Sequence, residues 1–307
     1  MTAPTLLALV GPTASGKTEA GIAIARSLGA EICSVDSMLV YRGMDVGTAK
    51  PTLLERAGVP HHLLDLAEPS ERFTVTRFQA AARTAIDDVR SREEMPLLVG
   101  GSGLYYRAVA DDLSFPGEDP RVRSELEAEA DTAGVGALYR RLQDLDPVAA
   151  AKIEPGNVRR VVRALEVSAI TGAPFSTFAA EWERYDPERL RVAGIRVAPE
   201  SLRPRIAGRV SAMFARGWLD EVGGLVARGF GSWLTSTQAI GYAELARHLD
   251  GRLSLEEAWE GTVRRTKNLA RRQMAWFRRD PRVRWFDAGE GGAAEVLDEV
   301  RSFLVSP

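Results

Sequence analysis

Gly11-Pro12-Thr13-Ala14-Ser15-Gly16-Lys17-Thr18 stands between an apolar run, Leu6-Leu7-Ala8-Leu9-Val10, and an alanine- and isoleucine-rich helical pattern over residues 19–28. The octet fits the template G-x-x-x-x-G-K-[ST] in the strand, loop and helix setting that the template needs. Glycines let the backbone curl until successive N–H groups point inward. The helix that follows adds unpaired donors and the positive end of its dipole. Lys17 contributes a movable positive charge, and the Thr18 hydroxyl a ligand for a divalent cation held against phosphate oxygens. The loop is therefore expected to bind a di- or triphosphate through Gly11, Pro12, Thr13, Ala14, Ser15, Gly16, Lys17 and Thr18. Which compound it binds is left open, because one such loop serves NTPases, kinases and transferases alike.

Beyond the first helix, residues 31–35 form a second short apolar run that ends in Asp36-Ser37. Two successive strand–helix units predict a parallel sheet, whose ligands gather at the carboxyl ends of its strands. Asp36 sits at such an end, where it can hold a cation through water or accept a proton from an attacking nucleophile. A turn-capping aspartate is the plainer reading of the same residue. Residues 38–60 carry Gly43, Gly47, Pro51 and Gly58 and read as an irregular loop. Residues 61–66 predict a short third strand; adjacent histidines do not share a helix face, so His61 and His62 read as structural. Helical spacing returns over 73–92. Pro96-Leu97-Leu98-Val99 then predicts a buried strand running into Gly100-Gly101-Ser102-Gly103. Glycines there permit close backbone approach beside the loop, and equally make a tight turn into the next helix.

From 119 to about 185 the sequence is helical, charged and without strand signals, and residues 190–197 return to a β-branched pattern read as the last strand of the sheet. The fold expected is α/β: a P-loop NTPase-like parallel sheet flanked by helices, with a helical insertion domain. Residues 1–116 and 189–307 would form the core with its C-terminal helices, and 117–188 the insertion. Helices are expected over 201–216, 237–249 and 254–278.

The chain has 307 residues, 45% hydrophobic and 27% charged, with one cysteine, Cys33. A lone cysteine excludes a disulfide framework and a cysteine-rich zinc site. The apolar N-terminal run is too short to span a membrane, and Met1-Thr2-Ala3-Pro4 lacks the basic start of a signal peptide, so cytoplasmic residence is expected. Net charge is only −2, yet nine Arg or Lys residues face one acid, Asp280, between Val263 and Trp285. Arg264, Arg271 and Arg278 recur every seven residues, with Lys267 in the same broad stripe. Such a helix tracks a phosphate backbone, with Trp276 or Trp285 packing or stacking.

Several stretches now occur in a telling order: GPTASGKT at 11–18, SVDSMLVYRGMDVGTAK at 34–50, LVGGSGLYY at 98–106, RALEV at 163–167, IGY at 240–242 and LARRQMAW at 269–276. Together they resemble the bacterial tRNA dimethylallyltransferases, also called tRNA isopentenyltransferases, and the resemblance covers the chain to about residue 286. It implies prenyl transfer from dimethylallyl diphosphate to N6 of adenosine 37 in tRNA, with Mg²⁺ accompanying the diphosphate at Thr18. It also implies that the insertion clasps the anticodon stem-loop. Lys17 and Thr18 would stabilise the leaving diphosphate, with Arg205 as the added cation and Arg209 in reserve, and Asp36 would take the proton from N6. Contacts to tRNA implied by position are Asp36, Ser37, Met38 and Leu39 around the base, and Ser102 at the glycine turn. In the insertion they are Arg123, Arg159, Arg160 and Arg163. Further along they are Gln238, Ala239, Ile240, Gly241, Tyr242, Arg271, Arg272, Gln273, Trp276, Phe277 and Arg278. Leu39 departs from the glutamine common in the family, and a leucine offers no amide to a base edge. A monomer without a stable protein partner is expected.

Two other classes share the loop. A small-molecule kinase would use Asp36 as base but leaves the basic C-terminal third without a purpose. A nucleotide-switched RNA-binding protein leaves Asp36 and the glycine turn unexplained. If Arg271, Arg272 and Arg278 neutralise phosphates, replacing all three by alanine should weaken tRNA binding and flatten its salt dependence. Each lost contact lowers the log–log slope by about 0.7–0.9; an unchanged slope would make the stripe a solvated face.

Overall fold

Uninterrupted apolar runs, rather than alternation, mark strands buried on both faces, and Leu7–Val10 (β1) is buried at every position. The computed structural model describes residues 6–179, 182, 184–186 and 190–306. After β1 come α1 (Lys17–Leu28), β2 (Ala30–Ser34), β3 (His61–His62), α2 (Val75–Ser91), β4 (Met95–Gly100) and α3 (Gly103–Ala110). A purely helical stretch follows: α4 (Pro120–Ala133), α5 (Val135–Leu145), α6 (Pro147–Lys152), α7 (Val158–Thr171) and α8 (Phe175–Ala179). The chain then forms β5 (Arg191–Val197), α9 (Pro199–Ala215), α10 (Trp218–Ala227), α11 (Tyr242–Leu249), α12 (Leu255–Phe277), β6 (Val283–Ala288) and α13 (Leu297–Val305). Among the described residues no helix is long and apolar enough to cross a membrane.

The six strands are parallel, in the order β3-β2-β4-β1-β5-β6. β1 lies between β4 and β5, with Val10 level with Gly100 on one side and Gly194 on the other. The chain leaves β1 for β2 and returns to fill the place between them with β4. That reversal opens a crevice at the carboxyl ends of β1 and β4, where the loop at 11–18, Asp36 and the glycine turn at 100–103 meet.

The chain divides into two units, Met1–Asp112 with Asp186–Pro307, and Leu113–Tyr185. The return point expected at 188–189 lies outside the described residues. Within the helical unit, Leu126, Leu138, Leu142, Val161 and Leu165 form a separate core. Its helices begin at side-chain caps: Asp119 accepts from Arg121 N and Val122 N, Asp146 from Ala149 N and Asn157 from Arg160 N. Glu166 is fully buried beneath them and accepts from Asp119 N, Arg123 and Arg163. Burial alone would push its carboxyl up, but these donors hold it below the usual carboxylate range.

Several local expectations are corrected. Residues 190–197 are not the last strand, because β6 adds an edge strand beyond β5. Its sequence, Val283-Arg284-Trp285-Phe286-Asp287-Ala288, is masked by the arginines of the preceding basic run. The third strand stops after two residues because Leu63 and Asp65 take left-handed backbone angles, φ 67° and 56°. The helix expected from 237 starts at Tyr242, after a single 3₁₀ turn, Ser236–Gln238. Gly241, at φ 90°, breaks it, and Trp218 lies so close that a Cβ there would sit 2.0 Å from its ring. Helix α10 carries no strong sequence signal and went unpredicted.

The irregular segment at 38–60 is held by two polar hubs, one buried and one partly exposed. Lys50 is 5% exposed and donates to Tyr41 O at 2.7 Å, Asp45 at 2.6 Å and Asp65 at 2.5 Å. Glu221 on α10 accepts from Asp45 N and Val46 N at 2.8 Å, Gly47 N at 3.2 Å and the Tyr242 hydroxyl at 2.7 Å. Trp218 packs beneath Gly47, where a Cβ would meet its Nε1 at 2.0 Å. Gly47→Ala should therefore lower stability by about 1–3 kcal/mol through overpacking. Urea denaturation measures this, and an unchanged midpoint would show that Trp218 moves aside at no cost.

Candidate active site

The loop after β1 is held open by bonds to its carbonyl oxygens. Pro12 O accepts from Lys17 Nζ at 3.3 Å, Ala14 O from Arg205 Nε at 2.8 Å and Ser15 O from Ala293 N at 2.8 Å. Within the curl Ser15 N donates to Pro12 O at 3.4 Å and Thr13 N is taken by Gln273, which leaves the amide groups of Ala14, Gly16, Lys17 and Thr18 for its inner side. Gly16 at φ 85° and Ala14 at φ 63° supply the left-handed turns that this requires. An alanine in that region costs about 1–2 kcal/mol, and the Arg205 bond to its carbonyl helps to hold it. Helix α1 starts immediately after Gly16, so its first N–H groups have no helical acceptor.

A cavity of about 580 Å³ opens in front of the loop. Thr13, Lys17, Thr18 and Arg209 line it, together with Asp36, Ser37, Met38 and Leu39 and with Gln238, Ala239, Ile240 and Arg272. Burial pushes the Lys17 ammonium down to about 8, and the charge of Arg209 adds to the fall, while Asp36 and Glu19 oppose it. Burial also lowers the pKa of Arg209. Two cations drawn together out of water gain from an anion between them. Asp36 Oδ1 accepts from Met38 N at 2.8 Å, and Ser102 Oγ accepts from Ser37 N at 3.2 Å, which fixes the turn carrying the carboxylate.

Among the described residues no three of His, Cys, Asp or Glu gather to hold a metal ion. The Thr18 hydroxyl and the Asp36 carboxylate, both on the cavity wall, are the oxygen donors at hand. That small set fits a cation held mostly by diphosphate oxygens and water, not by a protein cage.

The structure sorts the residues expected from sequence. Asp36, Ser37, Met38, Leu39, Ser102, Gln238, Ala239, Ile240 and Arg272 come together with the loop around one cavity. Arg205 does not line it: its guanidinium is bonded to Ala14 O and Glu290 O, behind the loop. Arg209, one helical turn further along α9, faces the cavity instead. Tyr242 is buried and donates to Glu221, and Gly241 is covered by Trp218, so both act by shaping the wall. Gln273 is 7% exposed, and its Oε1 accepts from Thr13 N at 2.8 Å. Phe277 is buried against Tyr106. Trp276 packs over Gly103 with its outer face exposed, and Arg271 and Arg278 are exposed. Arg282 leaves the basic stripe, being buried between Asp280 and Asp111. In the helical unit Arg123 and Arg163 are bonded to Glu166, whereas Arg159 and Arg160 are exposed on α7. Sequence reading missed Thr48, Arg265, Thr266 and Leu269 on the cavity wall; the i, i+1, i+4 spacing of 265, 266 and 269 on one helix was the available signal.

The family model described as IPP transferase matches residues 39–280. The chain is 50% identical over 305 residues to the tRNA dimethylallyltransferase of Kineococcus radiotolerans, covering 97% of this chain and 95% of that one. It is 48% identical over 301 residues to the tRNA dimethylallyltransferase of Salinispora arenicola, covering 98% and 87%. Among solved structures, the tRNA isopentenylpyrophosphate transferase of Bacillus halodurans superposes with a TM-score of 0.71 at 42% identity, over 98% of this chain and 95% of that one. A eukaryotic dimethylallyltransferase acting on tRNA gives a TM-score of 0.81 at 25% identity, over 98% and 78%.

The charge on Lys17 is the titrating feature of this site. Because its pKa is depressed to about 8, the free cavity loses a cation as pH rises through that value, and an anion that needs it must bring a proton along. Affinity for inorganic diphosphate should hold from pH 6.5 to 7.5 and fall above 8, with about one proton taken up per anion bound. Calorimetry in buffers of different ionisation enthalpy reads the uptake; a flat profile to pH 9.5 would show that Lys17 keeps its charge through this range or that anion binding does not depend on it.

Proposed function

The chain belongs to the IPP transferase family, and from that premise we infer that it transfers the dimethylallyl group of dimethylallyl diphosphate to N6 of adenosine 37 in tRNA, releasing diphosphate. The observation that carries the reading is a single cavity lined at once by residues of the phosphate loop, by Lys17 and Arg209 and by Asp36. The kinase reading accounts for the loop and Asp36 but not for the basic C-terminal third, and the nucleotide-switch reading accounts for neither Asp36 nor the glycine turn.

In the reaction the bond from prenyl C1 to the diphosphate oxygen breaks, a bond from N6 to C1 forms, and one proton leaves N6. Negative charge grows on the diphosphate, and donors fixed beforehand stabilise it without reorganising. The inner amide groups of the loop, Lys17 and Thr18 supply them. Arg209 takes the part expected of Arg205, since it faces the cavity while Arg205 braces the loop. Mg²⁺, held by the Thr18 hydroxyl and the diphosphate, would add charge neutralisation there. The N6 lone pair is delocalised into the adenine ring, so nucleophilicity depends on removing the proton as the bond forms. Asp36 is placed to accept it. Its Oδ1 is held by Met38 N, which keeps the carboxylate oriented.

Base recognition falls to the turn at 36–39, to Ser102 and to the wall at 238–240. Leu39 gives that turn an apolar contact in place of an amide. Arg271, Arg272 and Arg278 supply charge for the tRNA backbone, as do Arg159 and Arg160 on the insertion, residues 117–188, which clasps the anticodon stem-loop. Work on tRNA places the enzyme in the cytoplasm, as a monomer.

Purified protein incubated with Mg²⁺, dimethylallyl diphosphate and unmodified tRNA should yield N6-dimethylallyladenosine on nucleoside mass analysis, and none without the donor. Asp36→Asn keeps the shape of the side chain and removes its basicity. Because a positioned general base contributes about 10²–10⁴ in rate, single-turnover transfer should fall by that factor with donor and tRNA binding nearly intact. Loss of binding with the saturated rate preserved would make Asp36 a base-recognition residue instead.

A further inference from the structure

The loop meets one side chain from far along the chain on its cavity side. Gln273 lies on α12, 260 residues from Thr13, yet its Oε1 accepts the Thr13 N–H at 2.8 Å. Both residues line the cavity, and Gln273 is only 7% exposed. Its amide is fixed at the other end as well: a Cβ on Gly101 would fall 2.3 Å from Gln273 Nε2, so the nitrogen rests against that glycine. An N–H donor at Thr13 admits only the oxygen of the amide, which settles its orientation.

Amide groups follow one another along such a loop, and a linear phosphate chain lies along them. The amides cradle two phosphates and the lysine reaches toward the third, and Lys17 Nζ lies 3.3 Å from Pro12 O, at the start of the loop. The N–H at that start is that of Thr13, since Pro12 has none. We propose that Gln273 is a specificity-determining residue that limits this loop to diphosphates. Its carbonyl oxygen takes the donor a third phosphate would need and sets an acceptor against the approaching anion. The inner donors, from Ala14 to Thr18, are untouched by it. The proposal rests on the diphosphate-donor reading above and names the feature by which a loop fit for nucleoside triphosphates declines them.

Inorganic diphosphate and inorganic triphosphate, each with Mg²⁺, are titrated into the full-length protein by calorimetry. The wild type should bind diphosphate more tightly, although triphosphate carries more charge. In Gln273→Met, which keeps the volume and loses the acceptor, the ratio of affinities should move toward triphosphate by about tenfold, the worth of one hydrogen bond to a charged group. Gln273→Asn, whose amide is one methylene too short to reach, should move it the same way. A misshapen loop would weaken both anions together. An unchanged ratio in both variants, whether the affinities fall or hold, would overturn the proposal, as would a wild-type preference for triphosphate. Prenyl transfer by the wild type is measured separately; its failure would overturn the assigned activity and leave the ratio as a property of the loop.

Discussion

Backbone amide groups bind an anion only if nothing in the protein has already taken them, and a curled loop tends to bond to itself. Here one bond closes within the curl, from Ser15 N to Pro12 O at 3.4 Å, while Lys17 of the loop itself also donates to Pro12 O and the carbonyls of Ala14 and Ser15 are taken from outside by Arg205 and Ala293. The two outside residues come from distant parts of the chain. Arg205 starts on α9, and Ala293 follows the last strand. A cation behind the loop, at Arg205, and one in front, at Arg209, are separated by four residues of the same helix. One organises dipoles, and the other meets charge directly.

That division explains why the motif at 11–18 was readable from sequence and its supports were not. The octet is local: its glycines, lysine and threonine act on each other's backbone, so spacing alone carries the meaning. Arg205 and Arg209 are both arginines on one helix, and only the positions of Ala14 O and the cavity separate them. The parallel sheet and its strands β1, β2, β4 and β5 were legible for the same reason, as apolar runs. β6 was not, because an edge strand with arginine at its second position looks like the end of a basic helix. The pair Leu63 and Asp65, in left-handed conformations, ended β3 without any glycine to announce it.

The stretch SVDSMLVYRGMDVGTAK shows a different kind of legibility. It marks the family strongly, yet most of its later residues do no chemistry. Gly47 admits Trp218, Lys50 ties Tyr41 to Asp45 and Asp65, and the amides of 45–47 end on Glu221. Lys50 is buried and Glu221 partly so, each with several partners, and losing the carboxylates around Lys50 would leave its charge unpaired out of water. The front of this stretch, Asp36 to Leu39, lines the cavity together with Thr48, and the remaining residues hold that wall in place. The arginines of the insertion divide likewise: Arg123 and Arg163 are bonded to Glu166, whereas Arg159 and Arg160 are exposed.

Helix α12 joins these themes. Its buried face carries Ala258, Val263, Ala270 and Phe277, and an adjoining face brings Arg265, Thr266, Leu269 and Arg272 to the cavity. Gln273 and Trp276 lie on the seam nearest the sheet, where Gly101 and Gly103 leave room for them. The glycine turn after β4 thus admits the protein's own helix as well as turning the chain. A side chain at Gly103 would meet Trp276 at 2.7 Å and push α12 away from the loop. Consecutive residues of a helix point about 100° apart, so the seating of Gln273 on the loop also sets where Arg272 points. The helix that carries the charge for a polyanion is thereby indexed, residue by residue, to the loop that carries the donors for a diphosphate.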